Sequence, residues 1–454
     1  MASRTVTDVY FDHSTAKRVN TDCVIVQALR REYPNLELVV APEGSSNLLA
    51  YASAGHASFS VIEDNSTLPS VVSWKVYTPS ARRIDGGKGV LADRIIFGKF
   101  LYKWNGAEFI VYRIEGRDGM GSYPSIDNYY ILTTEIPKAD ALCVAAGKWS
   151  NELHDEIWVY DGGFWQKNAA LYQSVMGSSW DSVILDEEMK QAIINDHLSF
   201  FNSQETYKNL KVPWKRGIIY YGPPGNGKTI SIKAMMHTLY SRQDPIPTLY
   251  VRSLTSYNGP EYSIKQIFAM ARRFAPCYLV FEDLDSIVSD NVRSYFLNEV
   301  DGLKSNDGIF MIGSTNHLDR LDPGISKRPS RFDRKYLFPD PNLDQRIAYC
   351  KFWQSKLSSN KEIDFPDKLC SAIAGITDKF SFAYMQEAFV ASLLAIARKD
   401  EGIDPSYEHP LTEEMNDGWV GVIADDDDLD GLVLWKEIKK QVAILRDSME
   451  KEEQ

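Results

Sequence analysis

Cysteine is scarce in this chain. The five residues Cys23, Cys143, Cys277, Cys350 and Cys370 are odd in number, scattered over 454 positions and nowhere spaced C-x-x-C. That excludes a disulfide framework and a thiolate zinc site, and it fits a reducing compartment. Long apolar runs are missing too. None approaches the ~18–20 residues that cross a bilayer, and the N-terminus carries Asp8 and Asp12 without an apolar signal core, so no integral membrane segment and no secretion are expected. Cytoplasm is the expected location, with nucleus or mitochondrion left open. The histidines (His13, His56, His154, His197, His237, His317, His409) never fall at H-x-x-x-H or H-E-x-x-H spacing, which disfavours a dedicated transition-metal site. Basic residues are outnumbered, 50 against 62 acidic, for a net charge of −12. Non-specific binding to a phosphate backbone relies on a basic surface, so nucleic acid is disfavoured as the main partner.

That last exclusion has a narrower base than the total suggests. Residues 400–454 carry 17 acidic and 5 basic residues, while residues 1–399 balance at 45 of each. The acidity belongs to the tail, including the run Asp425 to Asp428, which reads as a solvated stretch before a terminal helix over WKEIKKQVAILRDSMEKE.

The length is enough for two to three domains of roughly 100–200 residues, and periodicity divides the chain. Residues 1–174 read as a β-rich α/β domain. Its best signal is RIIFGKFLYKW and EFIVYRIE joined by Asn105-Gly106, the dipeptide a type I′ hairpin prefers. A second hairpin is expected in EIWVYDGGFWQK, with its tryptophans serving a core rather than a partner. Residues 175–341 alternate short apolar strands with helices, which predicts α/β structure with a parallel sheet flanked by helices. Residues 342–400 carry only helical patterns and suggest a small helical lid. Residues 401–454 form the acidic tail. No repeat and no Pro- or Gly-Ser-rich linker separates these parts.

The strongest chemical signal is GPPGNGKT: Gly222, Pro223, Pro224, Gly225, Asn226, Gly227, Lys228 and Thr229. It follows the strand GIIYY and leads into a helix, the setting a phosphate-binding loop requires. Glycines let successive N–H groups turn inward around a phosphate, and the helix N-terminus adds a favourable dipole. Lys228 would reach the β- and γ-phosphates of ATP, and Thr229 would offer a hydroxyl to Mg²⁺. A chance match is on the order of one per cent for a chain this long at average residue frequencies. A neighbouring strand end supplies carboxylates in YLVFEDLD. The order usual in such sites is Asp then Glu; here Glu282 stands at the metal position and the shorter Asp283 at the position that prepares the attacking water.

Together these residues resemble the AAA ATPases, and further marks arrive in that family's order. GSTN, ending in Asn316, is similar to the sensor strand whose polar residue contacts the γ-phosphate or the lytic water. Arg328-Pro329-Ser330-Arg331-Phe332-Asp333-Arg334 is similar to RPGRFDR, with serine where glycine is usual. The resemblance implies that Arg331 and Arg334 are arginine fingers given to a neighbour's ATP, where charge on the transferring phosphoryl group calls for arginine. An arginine in trans needs head-to-tail subunits, and a closed heterologous interface is a ring; a homo-oligomer, expected as a hexamer, follows by resemblance. The swapped Glu-Asp pair, VPWKRGIIYYGPPG and SFAYMQEAF most resemble the Bcs-type branch, over roughly residues 175–400. Tyr257-Asn258-Gly259 lies near the place where many AAA translocases carry a pore-lining aromatic, but Asn258 replaces the usual hydrophobic residue and an ordinary Asn-Gly turn is the favoured reading. The expected activity is ATP hydrolysis by a chaperone or protein-remodelling motor with an unidentified protein client. A slowly hydrolysing nucleotide-binding scaffold and a DNA-dependent AAA machine stay open as alternatives.

Overall fold

The computed structural model describes residues 20–63, 69–80, 88–116, 126–301, 305–328, 331–360, 362–400 and 427–453. The chain divides into two compact units, the second beginning at Asp155.

In the first unit the elements run α1 (Thr21–Glu32), β1 (Glu37–Pro42), α2 (Leu48–Ser53), β2 (Ser58–Val61), β3 (Val71–Thr78), β4 (Val90–Trp104), β5 (Ala107–Gly116), β6 (Ile126–Thr133) and α3 (Ile136–Asn151). The strands form an antiparallel sheet in the order β1-β6-β5-β4-β2, with β3 also on β4. The Asn-Gly hairpin forms as expected. Asn105 and Gly106 have φ of 47° and 75°, the left-handed pair that matches the twist of the flanking strands, and Trp104 faces Ala107 across the turn. Alternate strand residues pack one face: Tyr102, Phe109, Val111, Tyr129 and Ile131 sit against Leu48 of α2 and Leu142 of α3. Arg113, only 6 % exposed, lies between Glu43 at 2.8 Å and Asp127 at 2.9 Å. Burial raises the Asp127 carboxyl above its ordinary range.

The second unit opens with β7 (Ile157–Asp161), β8 (Phe164–Asn168), α4 (Ala169–Met176), α5 (Glu187–Asn202) and α6 (Gln204–Leu210). Then come β9 (Arg216–Tyr221), α7 (Lys228–Tyr240), β10 (Thr248–Val251), α8 (Pro260–Phe274), β11 (Cys277–Phe281), α9 (Leu284–Ile287), α10 (Asp290–Asp301), β12 (Ile309–Thr315), α11 (Pro323–Ser326) and β13 (Arg334–Leu337). The sheet order is β13-β9-β12-β11-β10-β7-β8. All neighbours pair in parallel except the β7–β8 hairpin. Strands β11 and β12 are buried along their whole length, as a parallel sheet covered on both faces demands. On one face Ile219, Leu279 and Met311 pack with Ile267 and Phe268 of α8 and Phe296 of α10. On the other, Ile218, Val280 and Ile312 pack with Phe200 of α5 and Met235 of α7.

A domain boundary near residue 174 was expected, but the β7–β8 hairpin extends the second sheet: Leu249, Tyr250 and Val251 of β10 pair with Trp158, Val159 and Tyr160. An aromatic hairpin read in isolation cannot say which sheet it will join, because its backbone can pair with any open edge. Trp158 and Trp165 pack against the core on that side, as their core role required.

Four longer helices follow: α12 (Leu343–Leu357), α13 (Asp367–Ile376), α14 (Phe382–Asp400) and, after the short α15 (Asp427–Asp430), α16 (Val433–Glu453). Helix α12 starts with a reciprocal cap between Asn342 and Gln345, a device worth about 1 kcal/mol. The terminal helix, expected as part of a separate tail, belongs to the lid. Its Leu434, Trp435, Ile438 and Val442 share one core with Trp353, Leu369, Phe380 and Phe389, and Arg446 donates to the carbonyl oxygens of Ile376 and Asp378. The amphipathic repeat made α16 a predictable helix; its docking partner is a long-range matter. Of the acidic run before it, Asp425 and Asp426 lie outside the described residues and Asp427 opens α15.

Candidate functional site

Gly222 to Thr229, Glu282, Asp283 and Asn316 lie at the carboxyl ends of β9, β11 and β12, where open parallel sheets place ligand sites, whereas Arg331 and Arg334 lie beside Gly217 and Ile218 at the amino end of β9. Gly222 to Thr229 bridge β9 and α7. Gly222, Gly225 and Gly227 have φ of 135°, 80° and 92°, backbone that side chains resist. A Cβ on Gly222 would come within 2.3 Å of the Phe338 carbonyl, and one on Gly225 within 2.6 Å of Ala383 Cβ. The loop thus sits between β13 and the start of α14, and the Ala383 N–H donates to the Gly225 carbonyl at 3.2 Å. Phosphate loop and helical lid are joined by main chain.

Lys228 is buried, and its Nζ donates to the carbonyl oxygens of Gly222 and Pro223, both at 2.7 Å. Burial pulls the amine below its ordinary pKa, and the nearby charges of Asp283 and Asp285 oppose that shift. Thr229 is exposed one residue further along α7. Asn226 is buried; its amide donates to Asp340 at 2.8 Å while its Oδ1 has no protein partner.

Beyond β11, Glu282 is half-buried. Tyr250 of β10 donates its hydroxyl to Glu282 Oε2, and Glu282 Oε1 is buried with no hydrogen-bond partner. Burial and then the Glu282 charge push the Tyr250 phenol well above its ordinary range. Asp283 is exposed at φ 51°, a left-handed setting uncommon outside glycine. Its N–H reaches Ser314 Oγ at 3.2 Å. At the end of β12, Thr315 donates to Asp285 Oδ1 at 2.6 Å and accepts the His317 N–H at 3.0 Å. Asn316 lines a cavity of about 640 Å³ with Gly222, Pro223, Pro224, Lys327 and Lys335. A second cavity of about 580 Å³ is lined by Tyr250, Arg252, Thr255, Glu282, Asp283 and Ser286.

The two arginines part company. Arg331 is 7 % exposed; its Nε and Nη2 bond both oxygens of Asp301 at 2.9 and 2.6 Å, and its Nη1 donates to Gly324 O at 2.7 Å. The hydrogen bonds from Arg331 hold the Asp301 carboxyl below its ordinary value. Arg334 is 53 % exposed and reaches Asp196 at 3.1 Å. In the single chain only Arg334 presents itself at the surface. Tyr257 is fully exposed in a turn closed by Ser256 Oγ on the Gly259 carbonyl at 2.7 Å.

Sequence reading missed Tyr250, Asp301, Ser314 and Asp340. Polar residues closing an apolar strand, as in GST, could have flagged Ser314; nothing local marks the others, whose hydrogen-bond partners Glu282, Arg331 and Asn226 lie 30 or more residues away along the chain. The site fits a nucleotide with Mg²⁺: a glycine cradle that Cβ atoms would fill, a lysine whose amine is turned onto loop carbonyls, a hydroxyl at Thr229, and an unpartnered carboxylate oxygen on Glu282.

Residues 218–340 match the family described as "ATPase family associated with various cellular activities (AAA)". The chain is similar to "Ribosome biogenesis ATPase RIX7" of Saccharomyces cerevisiae, 31% identical over 238 residues, covering 48% of this chain and 27% of that protein. It is also similar to an uncharacterized AAA domain-containing protein of Schizosaccharomyces pombe, 28% identical over 241 residues, covering 49% of this chain and 30% of that one. The matched stretch is thus under a third of either relative. Among the described residues no helix is long and apolar enough to cross a membrane.

Proposed function

We propose, from the premise that this chain carries an AAA ATPase domain, that it is a ring-forming motor, expected as a hexamer, that spends ATP hydrolysis on remodelling or moving a protein client. The observation that carries the reading is the glycine loop Gly222 to Gly227 with the buried Lys228 amine turned onto its Gly222 and Pro223 carbonyls, Gly222 to Pro224 lining one cavity with Asn316.

Gly222 to Gly227 bind the phosphates through main-chain N–H groups, and Lys228 turns from the Gly222 and Pro223 carbonyls to the β- and γ-phosphates. Thr229 and Glu282 would hold Mg²⁺, which when bound neutralises charge on the phosphate oxygens. Asp283 takes the proton of the attacking water, and Asn316 orients the water or the γ-phosphate. Arg334 is the better placed of the two arginines to act on a neighbour's nucleotide; Arg331 acts only if its pair with Asp301 opens. The Gly225–Ala383 main-chain bond supports coupling between the nucleotide and the lid, and through it to the client. The fully exposed Tyr257 is available to grip an extended chain.

The test is hydrolysis by the full chain at ring-forming concentrations. Asp283→Asn should keep ATP binding and lose turnover. Undiminished hydrolysis in Lys228→Ala would end this reading.

A further inference from the structure

We infer that Tyr250 is a positioning residue for Glu282, occupying one carboxylate oxygen so that the other is left for the metal. The inference rests on the assignment of Glu282 to Mg²⁺ made above.

Strands β10 and β11 are parallel and in register, with Tyr250 opposite Val280, two residues before Glu282. Two residues apart on a strand means the same face, so the tyrosine ring lies along the direction in which the glutamate leaves the sheet. The ring packs against the core on the α7 side, a role phenylalanine would fill as well. What the hydroxyl adds is its hydrogen bond to Glu282 Oε2. Glu282 Oε1 has neither solvent nor a protein partner, and buried carboxylate oxygens are rarely left so without a ligand to meet. A glutamate at a strand end has three side-chain torsions to fix, one methylene more than the aspartate usual at this position, and a donor on one oxygen removes most of that freedom. The swapped Glu282-Asp283 order and the tyrosine on the neighbouring strand therefore read as one device. Partners of this kind, which orient a metal's ligand, change metal affinity by 10–100-fold when lost.

The experiment measures binding of fluorescent ADP to the full chain as Mg²⁺ is titrated, for the wild type, Tyr250→Phe, Glu282→Gln and the double variant. Tyr250→Phe is expected to raise the half-saturating Mg²⁺ at least about 10-fold with Mg²⁺-free ADP affinity unchanged, and the double variant should match Glu282→Gln. A purely structural tyrosine would instead alter both affinities together. Tyr250→Phe with wild-type Mg²⁺ demand beside a shifted Glu282→Gln overturns the inference alone, as does a double variant that needs more Mg²⁺ than Glu282→Gln. An unshifted Glu282→Gln overturns the metal assignment itself and the inference with it.

Discussion

The two sheets handle charge in opposite ways. In the antiparallel sheet, ionic groups sit within the strands: Lys99, Arg113 and Glu115 are all buried there, and Arg113 is closed by Glu43 and Asp127. In the parallel sheet, β10, β11 and β12 contain no charged residue, and Glu282 and Asp283 appear as soon as β11 ends. A strand covered on both faces has nowhere to hydrate a charge, so reactive groups are displaced to the carboxyl edge, where they collect. The antiparallel sheet also packs its second face, where Tyr112, Tyr130 and Leu132 meet Leu29 of α1, and it seats charges along its strands because partners satisfy them. Charges in the first unit are thus satisfied within the structure, and those at the carboxyl rim of the second are the ones proposed above to act on a ligand.

Several substitutions press on that contrast. If Arg334 acts in trans, Arg334→Ala should lower hydrolysis by the roughly 10³-fold an arginine finger supplies, while unfolding free energy shifts by no more than about 1 kcal/mol, as for an exposed ion pair; ATPase assay and urea titration on one preparation check both. Lys228→Ala should cut hydrolysis by on the order of 10²-fold or more, the size of losing one main charge-stabilising donor, without changing the urea midpoint of the first unit. Arg113→Ala should do the reverse. Removing one partner of a buried ionic cluster costs about 3–5 kcal/mol, read in urea, yet hydrolysis per folded chain should stay near wild type. A large loss of turnover there would break the contrast.

Arg331 tests the boundary between the two behaviours, because it is a motif residue of the second unit buried like a structural one. Its pair with Asp301 lowers that carboxyl below the ordinary 3.8. A depressed carboxyl stabilises the fold fully above its unfolded pKa and loses that contribution as pH falls through the folded value. Asp301→Asn should accordingly flatten the stability loss seen on acidification below about pH 4, measured by thermal melts across pH. The smallest effect belongs to the hairpin: Asn105→Ala, forced to a left-handed φ, should cost about 1 kcal/mol and leave hydrolysis untouched.

Much of this was legible from residue order. GPPGNGKT between a strand and a helix, the carboxylates after LVF, and Asn105-Gly106 between alternating segments are local signals, and each sits in the predicted kind of element. The hairpin of residues 157–168 was legible as a hairpin but not as an edge of the second sheet. The helix of residues 433–453 was legible from its periodicity, but not as the closing element of the lid core. Arg331 and Arg334 were indistinguishable as letters of one motif; what separates them is Asp301, thirty residues upstream of Arg331.

By itself, then, the sequence determined the phosphate loop, its strand and helix flanks, and the residue types gathered for nucleotide chemistry, because glycine freedom, apolar runs and turn dipeptides act over a few neighbouring residues. Tertiary structure alone decided which sheet took the aromatic hairpin, which arginine faced outward, and which tyrosine met Glu282. Those outcomes depend on partners brought together by burial of the two faces of a parallel sheet, and burial is a property of the assembled layers, which no short stretch of chain contains.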